Sequence, residues 1–154
     1  MKQLFIKLIF MVSLLLSSAA SASNFPTQEP MGGEPFGHSV KNIGDGLYVF
    51  RWWVYRNIFM VTVEGVIVTD PMNPKAAKLL LGEIRKITDK PIKYVVYSHN
   101  HHDHISGGTV FKDQGATFIA HKNVLKELGD HPSAVTPLPD ITFEDEYTVQ
   151  LGDR

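Results

Sequence analysis

Residues 99–104 read His-Asn-His-His-Asp-His and directly follow a short run rich in β-branched and aromatic residues. The chain contains seven histidines, and this hexapeptide holds four of them. Neutral imidazole is a good ligand for zinc, and aspartate adds a hard oxygen donor. A cluster of this composition at the end of a strand predicts a metal site, and it restricts the fold to architectures that present a polar loop there.

The spacing within the cluster is suited to a shared metal. Side chains two apart in an extended chain point the same way, so His99 and His101 can reach one ion together. Asp103 would continue on that side, but its neighbour His104 needs a turn before both can aim at a common point. We expect the two glycines at 107–108 to give the backbone freedom for that turn. A polar surface loop that is rich in histidine by chance explains this spacing less well.

The segments before the cluster predict strands and one helix. Residues 47–53, 57–63 and 66–69 are β-rich runs, and the last two predict a hairpin. Asn73 followed by Pro74 is typical of a helix start. The helix that follows shows an apolar face at helical spacing, which we interpret as core: Ala77, Leu80, Leu81, Ile84 and Ile87. Residues 92–98 predict a buried strand that leads into the cluster.

The segments after the cluster are shorter. Residues 107–115 predict a short helical piece, 116–120 a strand, 123–128 a helical turn or two closed by Gly129, and 141–151 a final strand. Together with the first half, this order of hairpin and β-α-β units predicts a layered α/β fold with a mixed sheet.

Composition limits the classes of protein to which this chain can belong. The chain has 154 residues, 44% of them hydrophobic and 20% charged, which is typical of one globular domain. The formal net charge of −1 offers no basic patch for nucleic acid. There is no cysteine, so disulfides, cysteine nucleophiles and cysteine zinc sites are all excluded. The sequence also lacks a G-x-S-x-G elbow and a phosphate-binding P-loop.

The first residues predict export. Residues 1–22 combine a lysine-bearing start, a short apolar run and small residues that end at Ala22, as in a cleaved signal peptide. The apolar run is less than half of the roughly 20 residues that a membrane-spanning helix needs. We therefore expect a periplasmic or secreted protein with no membrane attachment after cleavage. Residues 23–43 are predicted to form an irregular leader, since Pro and Gly are frequent there.

The hexapeptide matches the H-x-H-x-D-H motif, and the chain resembles the metallo-β-lactamase superfamily. The resemblance implies an αββα sandwich, of which residues 44–154 would be the N-terminal part. It implies that His99 and His101 hold a first metal, and that Asp103 and His104 hold a second. Asp103 would be the catalytic residue that orients the attacking hydroxide, and Asp70 would support the ligand loop from behind. His102 falls at a variable position.

The resemblance also implies further ligands that this chain does not supply. Neither His121 nor His131 has the glycine-flanked setting expected of the third histidine. We therefore expect a fragment that folds poorly and is inactive alone. The aromatic segment 51–56 could flank the site and contact an apolar substrate, but packing on the sheet is the favoured interpretation.

The predicted function is an exported zinc-dependent hydrolase with one or two metal ions. Metal-activated hydroxide would attack an ester, thioester or amide, such as a β-lactam, in a small-molecule substrate. Iron or manganese in place of zinc is left open, including a redox member of the superfamily that uses iron. The alternative is a non-catalytic zinc-binding protein or an inactive fragment. The sequence decides neither the substrate nor the oligomeric state.

Overall fold

A computed structural model describes residues 37–154 of the chain. The predicted signal peptide and most of the predicted leader lie outside these residues. The described part contains seven strands: β1 (His38–Gly44), β2 (Leu47–Trp52), β3 (Tyr55–Val61), β4 (Val66–Thr69), β5 (Ile92–Val96), β6 (Thr117–His121) and β7 (Ile141–Phe143). It also contains four helices: α1 (Pro74–Ile87), α2 (His102–Ile105), α3 (Thr109–Lys112) and α4 (Lys122–Asp130).

All seven strands form one sheet, in which the spatial order is the same as the order along the chain. Strands β1 to β4 pair antiparallel through tight turns. Strands β4 to β7 pair parallel and are connected by helical segments. The predicted mixed sheet is therefore confirmed, and its parallel half carries the histidine segment at its carboxyl edge.

The core lies on one face of the sheet, against helix α1. Alternate residues of the strands point to this face, including the buried Phe50, Phe59 and Val68. The helix begins as predicted, since the Asn73 side chain accepts hydrogen bonds from the first free N–H groups. Its buried face consists of Ala76, Ala77, Leu80 and Ile84. Ile87, which the periodicity placed in the core, is exposed because it lies in the last turn.

The intervening residues of the same strands point to the opposite face of the sheet. Val49 pairs with Ile58, and Met60 pairs with Ile67. We call these four residues the second face. They are apolar, none of them is fully buried, and Ile58 is 43% exposed. The sheet thus has one packed face and one that carries accessible apolar side chains.

Four sequence-based expectations differ from the structure. Residues 38–43, predicted as irregular, belong to β1 because they pair with β2. The final strand is short: β7 ends at Phe143, and the following residues return to the β3–β4 turn, where Leu151 packs near Gly65. Helix α4 continues through Gly129 to Asp130. Helix α2 was not predicted. Within residues 37–154, no helix has the length and apolar character needed to cross a membrane.

Candidate metal centre

Two neighbouring parallel strands bring the predicted site residues together. Strand β4 ends at Thr69 and is followed by Asp70, and β5 ends at Val96, three residues before His99. The Asp70 backbone N–H donates to the Val96 carbonyl at 3.0 Å, so the pairing continues one residue beyond β4. Since parallel strands end at the same edge, this register places Asp70 beside the start of the histidine segment.

Ser98 connects Asp70 to the first histidine. Its backbone N–H donates to Asp70 Oδ1 at 2.8 Å, and its hydroxyl donates to Asp70 Oδ2 at 2.6 Å. The same hydroxyl oxygen lies 2.8 Å from His99 Nδ1. Asp70 therefore holds the backbone just before the motif with one carboxylate oxygen, and it reaches the His99 ring through Ser98 with the other.

Asp70 is itself held in place from β3. Asn57 is 5% exposed, and its amide nitrogen donates to the carbonyls of Thr69 and Asp70, both at 2.9 Å. Asp70 has a φ of +37°, in the left-handed region that non-glycine residues rarely adopt. The two hydrogen bonds from Asn57 stabilise this unusual backbone conformation. The Asp70 side chain is 8% exposed. Asp70 could be identified from the sequence, whereas Asn57 and Ser98 carry no signal there that marks their roles.

A single helical turn supplies the bend that the sequence analysis required. His101 precedes helix α2 in an extended conformation, and the N–H groups of His104 and Ile105 both donate to its carbonyl. The turn directs His104 back toward the strand end. As a result, the ring centroid of His99 lies 4.9 Å from that of His101 and 4.4 Å from that of His104.

The loop after Asp70 packs against this helical turn. The Met72 N–H donates to the His104 carbonyl at 2.6 Å, and the Gly107 N–H donates to the Met72 carbonyl at 2.7 Å. A Cβ added at Gly107 would lie 2.6 Å from the Pro71 carbonyl oxygen. The predicted reason for the two glycines was wrong, because Gly107 has no left-handed φ and Gly108 has a φ of −60°. They serve close approach of the backbone, not conformational freedom.

Asp103 and Tyr55 form the outer side of the cluster. Asp103 Oδ2 lies 3.7 Å from His104 Nε2, and the Asp103 side chain is about half exposed. The Tyr55 ring meets His104 edge-on with centroids 5.5 Å apart. Burial raises the pKa of Tyr55, and the charge of Asp103 and a side-chain hydrogen bond with it act in the same direction. Tyr55 is a contact of the predicted ligands that the sequence analysis did not single out.

The donor set is suited to a transition metal. Asp70, His99 and His104 each offer a ligand atom, and these atoms lie within 4.8 Å of one another. Ligands of one tetrahedral zinc ion are about 3.4 Å apart for bonds of about 2.1 Å, so side-chain adjustments of roughly an ångström would close the group. Both oxygens of Asp70 already accept hydrogen bonds from Ser98. Its position is therefore compatible with the predicted supporting role, while imidazoles and Asp103 face the accessible side.

The other histidines after the strand have different surroundings. His102 is exposed on the outside of α2. His121 caps helix α4, since its Nδ1 accepts from the Asn123 N–H at 3.2 Å, while its Nε2 bonds to the Glu144 carbonyl. His131 is the exposed residue after the last turn of the same helix. These surroundings agree with the interpretation that His121 and His131 are structural or surface residues.

Some residues of the aromatic segment 51–56 pack on the sheet, and others lie near the candidate site. Trp52 is buried on the core face, whereas Trp53 is 47% exposed at the tip of the β2–β3 hairpin. Tyr55 returns from the tip to contact His104. Packing therefore accounts for Trp52, and proximity to the metal centre applies to Tyr55.

The described residues thus form a mixed α/β sheet with imidazoles and carboxylates gathered at the carboxyl edge of its parallel strands, which is the arrangement of a candidate metal centre. The chain belongs to the metallo-beta-lactamase superfamily, since the model of that family matches residues 51–153. This match covers both Asp70 and the whole hexapeptide, and it confirms the resemblance carried by the motif.

One relative of known description is similar to this chain. The chain is 33% identical over 98 residues to the linear primary-alkylsulfatase of a Pseudomonas strain, a match that covers 59% of this chain and 19% of that protein.

Solved structures support the same fold. The metallo-beta-lactamase from Pontibacter korlensis superposes with a TM-score of 0.66 at 20% identity, over 75% of this chain and 56% of that one. A class B3 di-zinc metallo-beta-lactamase from an Alaskan soil metagenome gives 0.66 at 22%, over 74% of this chain and 48% of that one. The chain thus spans about half the length of the lactamase structures it matches.

Proposed function

We propose that this chain supplies the metal centre of an exported, zinc-dependent hydrolase that acts on a small-molecule substrate. The observation that carries the proposal is the return of His104 onto His99 by helix α2, with ring centroids 4.4 Å apart. The helical turn thereby brings His99 and His104, which would lie far apart in an extended chain, together at the end of β5. Membership of the metallo-beta-lactamase superfamily supports the same reaction class.

Zinc is the proposed metal because imidazole and carboxylate are both ordinary zinc ligands. One solved relative is described as a di-zinc enzyme. We propose that His99 and His101 hold a first ion and that Asp103 and His104 hold a second. When bound, zinc supplies a water whose pKa is lowered to about 7. Metal analysis distinguishes zinc from iron or manganese, the alternatives left by the ligand set.

The chain's own residues supply orientation. Asp103 is the proposed catalytic residue, because its half-exposed carboxylate can accept a hydrogen bond from the attacking water or hydroxide and so orient it toward a substrate. Asp70 lies on the buried side and holds the Ser98 backbone and hydroxyl. The site therefore has an anchored inner side and an accessible outer side, which suits a substrate that approaches from solvent.

The proposed substrate contains an electrophilic ester, thioester or amide centre, such as a β-lactam. A sulfate ester with a linear alkyl chain is a second candidate, and a specific observation favours it. The relative described as an alkylsulfatase is 33% identical to this chain, whereas the lactamase structures are 20% and 22% identical and share the fold alone. Linear alkyl sulfates are therefore the first substrates to test, beside β-lactams and thioesters.

Export is the proposed location, and its support is the sequence of residues 1–22, with a basic start, an apolar run and small residues before Ala22. A mature N-terminus at residue 23, determined by sequencing protein recovered from the periplasm or medium of an expressing bacterium, supports the proposal. Full-length protein in the cytoplasm contradicts it.

A non-catalytic zinc-binding protein is the alternative from a different class. Both functions predict metal binding at the hexapeptide, but only a hydrolase also turns over substrate. Tight zinc binding together with no hydrolysis of alkyl sulfates, β-lactams or thioesters, measured on the complete gene product, favours the binding protein.

The test of the metal site uses alanine variants within the motif. We expect His99→Ala and His101→Ala each to weaken zinc binding by more than about tenfold, because each removes a direct ligand. His102→Ala is the matched control, since this imidazole lies in the same segment, is exposed and falls at the variable position of the motif. Equal zinc affinity in all three variants and the parent chain contradicts the proposed site.

A further inference from the structure

We propose that Ser98 is a positioning residue that fixes the proton of the His99 ring on Nδ1 and so leaves Nε2 as the metal-binding atom. The metal-binding part of this inference rests on the proposed function. The part that concerns the proton rests on two hydrogen bonds, at 2.6 and 2.8 Å, which run from Asp70 through the Ser98 hydroxyl to His99, and on the 2.8 Å bond from the Ser98 backbone N–H that holds Asp70 in place.

The number of hydrogens that each group can donate determines the direction of these bonds. A carboxylate can only accept hydrogen bonds, and a serine hydroxyl has a single hydrogen to donate. Ser98 donates that hydrogen to Asp70 Oδ2 at 2.6 Å. Its oxygen must therefore accept in the bond to His99 Nδ1, which means that Nδ1 carries the proton. In a neutral imidazole the other nitrogen, Nε2, then presents its lone pair.

The Asp70 carboxylate, which accepts the hydrogen bond from the Ser98 hydroxyl, is held in place. Asp70 is 8% exposed, and its other oxygen is engaged by the Ser98 backbone N–H. The backbone of Asp70 is fixed on both sides, by its N–H to Val96 and by its carbonyl to Asn57. The direction of the hydrogen bonds is thus set by a buried, immobile carboxylate and passed outward to the ring.

Hydrogen bonds of this kind affect how tightly a histidine binds a metal. A ligating histidine usually donates its second ring N–H to a carboxylate or carbonyl, and loss of that partner lowers metal affinity by about 10- to 100-fold. In this protein the carboxylate acts at one remove, through a serine hydroxyl. The residue type at position 98 therefore determines whether Nε2 of His99 is free of a proton and available to the metal.

The variants separate the hydroxyl from the backbone. Ser98→Ala removes the oxygen that accepts from Nδ1 but keeps the backbone N–H to Asp70, while Ser98→Thr keeps the hydroxyl and is the matched control. Asp70→Asn is the sharpest case. If the new amide nitrogen donates to Ser98 Oγ, the serine hydrogen is released toward Nδ1, and the proton of the ring is driven onto Nε2.

The first measurement is nitrogen-15 NMR of the histidine rings in the metal-free chain at about pH 8, above the ordinary histidine pKa of about 6.5. We expect His99 to carry its proton on Nδ1 in the parent chain and in Ser98→Thr. We expect a loss of that preference in Ser98→Ala and its reversal in Asp70→Asn. A proton on Nε2 in the parent chain, or an unchanged preference in Ser98→Ala, overturns the proposal.

The second measurement is zinc affinity by competition with a chelator. A fall of about 10- to 100-fold for Ser98→Ala, with Ser98→Thr within about threefold of the parent chain, supports the positioning role. A shifted proton with unchanged zinc affinity overturns that role. If the parent chain binds no zinc at the motif, the proposed function fails, and the NMR result still decides whether Ser98 fixes the proton.

Discussion

Gly107 packs directly against the loop that follows Asp70. A Cβ at this position would lie 2.6 Å from the Pro71 carbonyl oxygen and 2.7 Å from the Asn73 carbonyl oxygen, both of which belong to the backbone. We therefore expect Gly107→Ala to lower the free energy of unfolding by about 1–3 kcal/mol, as overpacking does. Chemical denaturation measures this loss. Because the loop contacts His104, zinc affinity should fall in the same variant.

The control for this prediction is Gly82→Ala. Gly82 lies on an exposed part of helix α1, and nothing lies within 4 Å of an added Cβ. Alanine should stabilise this helix by up to about 1 kcal/mol. If the two alanine variants have the same stability, close approach is not the reason for glycine at 107.

For single residues, the sequence predicted the metal ligands but not the side chains that hold the ligands in place. His99, His101, Asp103 and His104 were identifiable because imidazole and carboxylate spacing is itself a chemical signal. Ser98 and Asn57 have no such signal, since serine and asparagine are common in loops and strands. Their roles depend on the β4–β5 register and on the position of β3, which bring distant residues to Asp70.

Strand β3 contributes to the site through one buried amide. Asn57 donates to the carbonyls of Thr69 and Asp70, and thereby joins β3 to the end of β4. Asn57→Ala leaves both carbonyls without this donor, so we expect a loss of about 1–3 kcal/mol in unfolding free energy. Thermal or urea denaturation of the parent and variant chains provides the measurement.

Asn123→Ala is the corresponding control, because Asn123 is exposed in the first turn of α4. We expect it to change stability by no more than about 0.5 kcal/mol. An Asn57 variant as stable as this control would show that the two hydrogen bonds contribute little.

The elements that could be predicted are those with a strong local pattern. Helix α1 has a capping asparagine, a proline and an apolar stripe, and β4 is a run of four β-favouring residues that the structure reproduces. The elements that were missed depend on partners. Strand β1 carries a weak pattern and exists through its pairing with β2, and β7 is shorter than its sequence suggests because only three residues pair with β6.

The whole molecule exposes the apolar second face of its sheet. Within this face, Ile58 lies beside Val49 of β2 and is 43% exposed. Accessible apolar faces of this kind favour association. We expect the purified chain to self-associate at micromolar concentrations, and Ile58→Lys to weaken this by at least about tenfold. Sedimentation equilibrium of both chains measures the change.

Val135→Lys controls for the added charge, since Val135 is also exposed but lies in the loop after α4. Equal association of the two lysine variants would show that the second face is not the surface involved.

Within residues 37–154, every strand after β1 lies beside the strand that precedes it in the chain, so its first partner has already been synthesised. The antiparallel hairpins β1 to β4 can therefore pair as they are synthesised, whereas each parallel strand from β5 onward joins only after the helical segment before it. Asn57 and Asp70 leave the ribosome before Ser98 and the histidines do. Because the position of Asp70 is completed only by its bonds to Val96 and Ser98, we expect this carboxylate and the histidine segment to become ordered together.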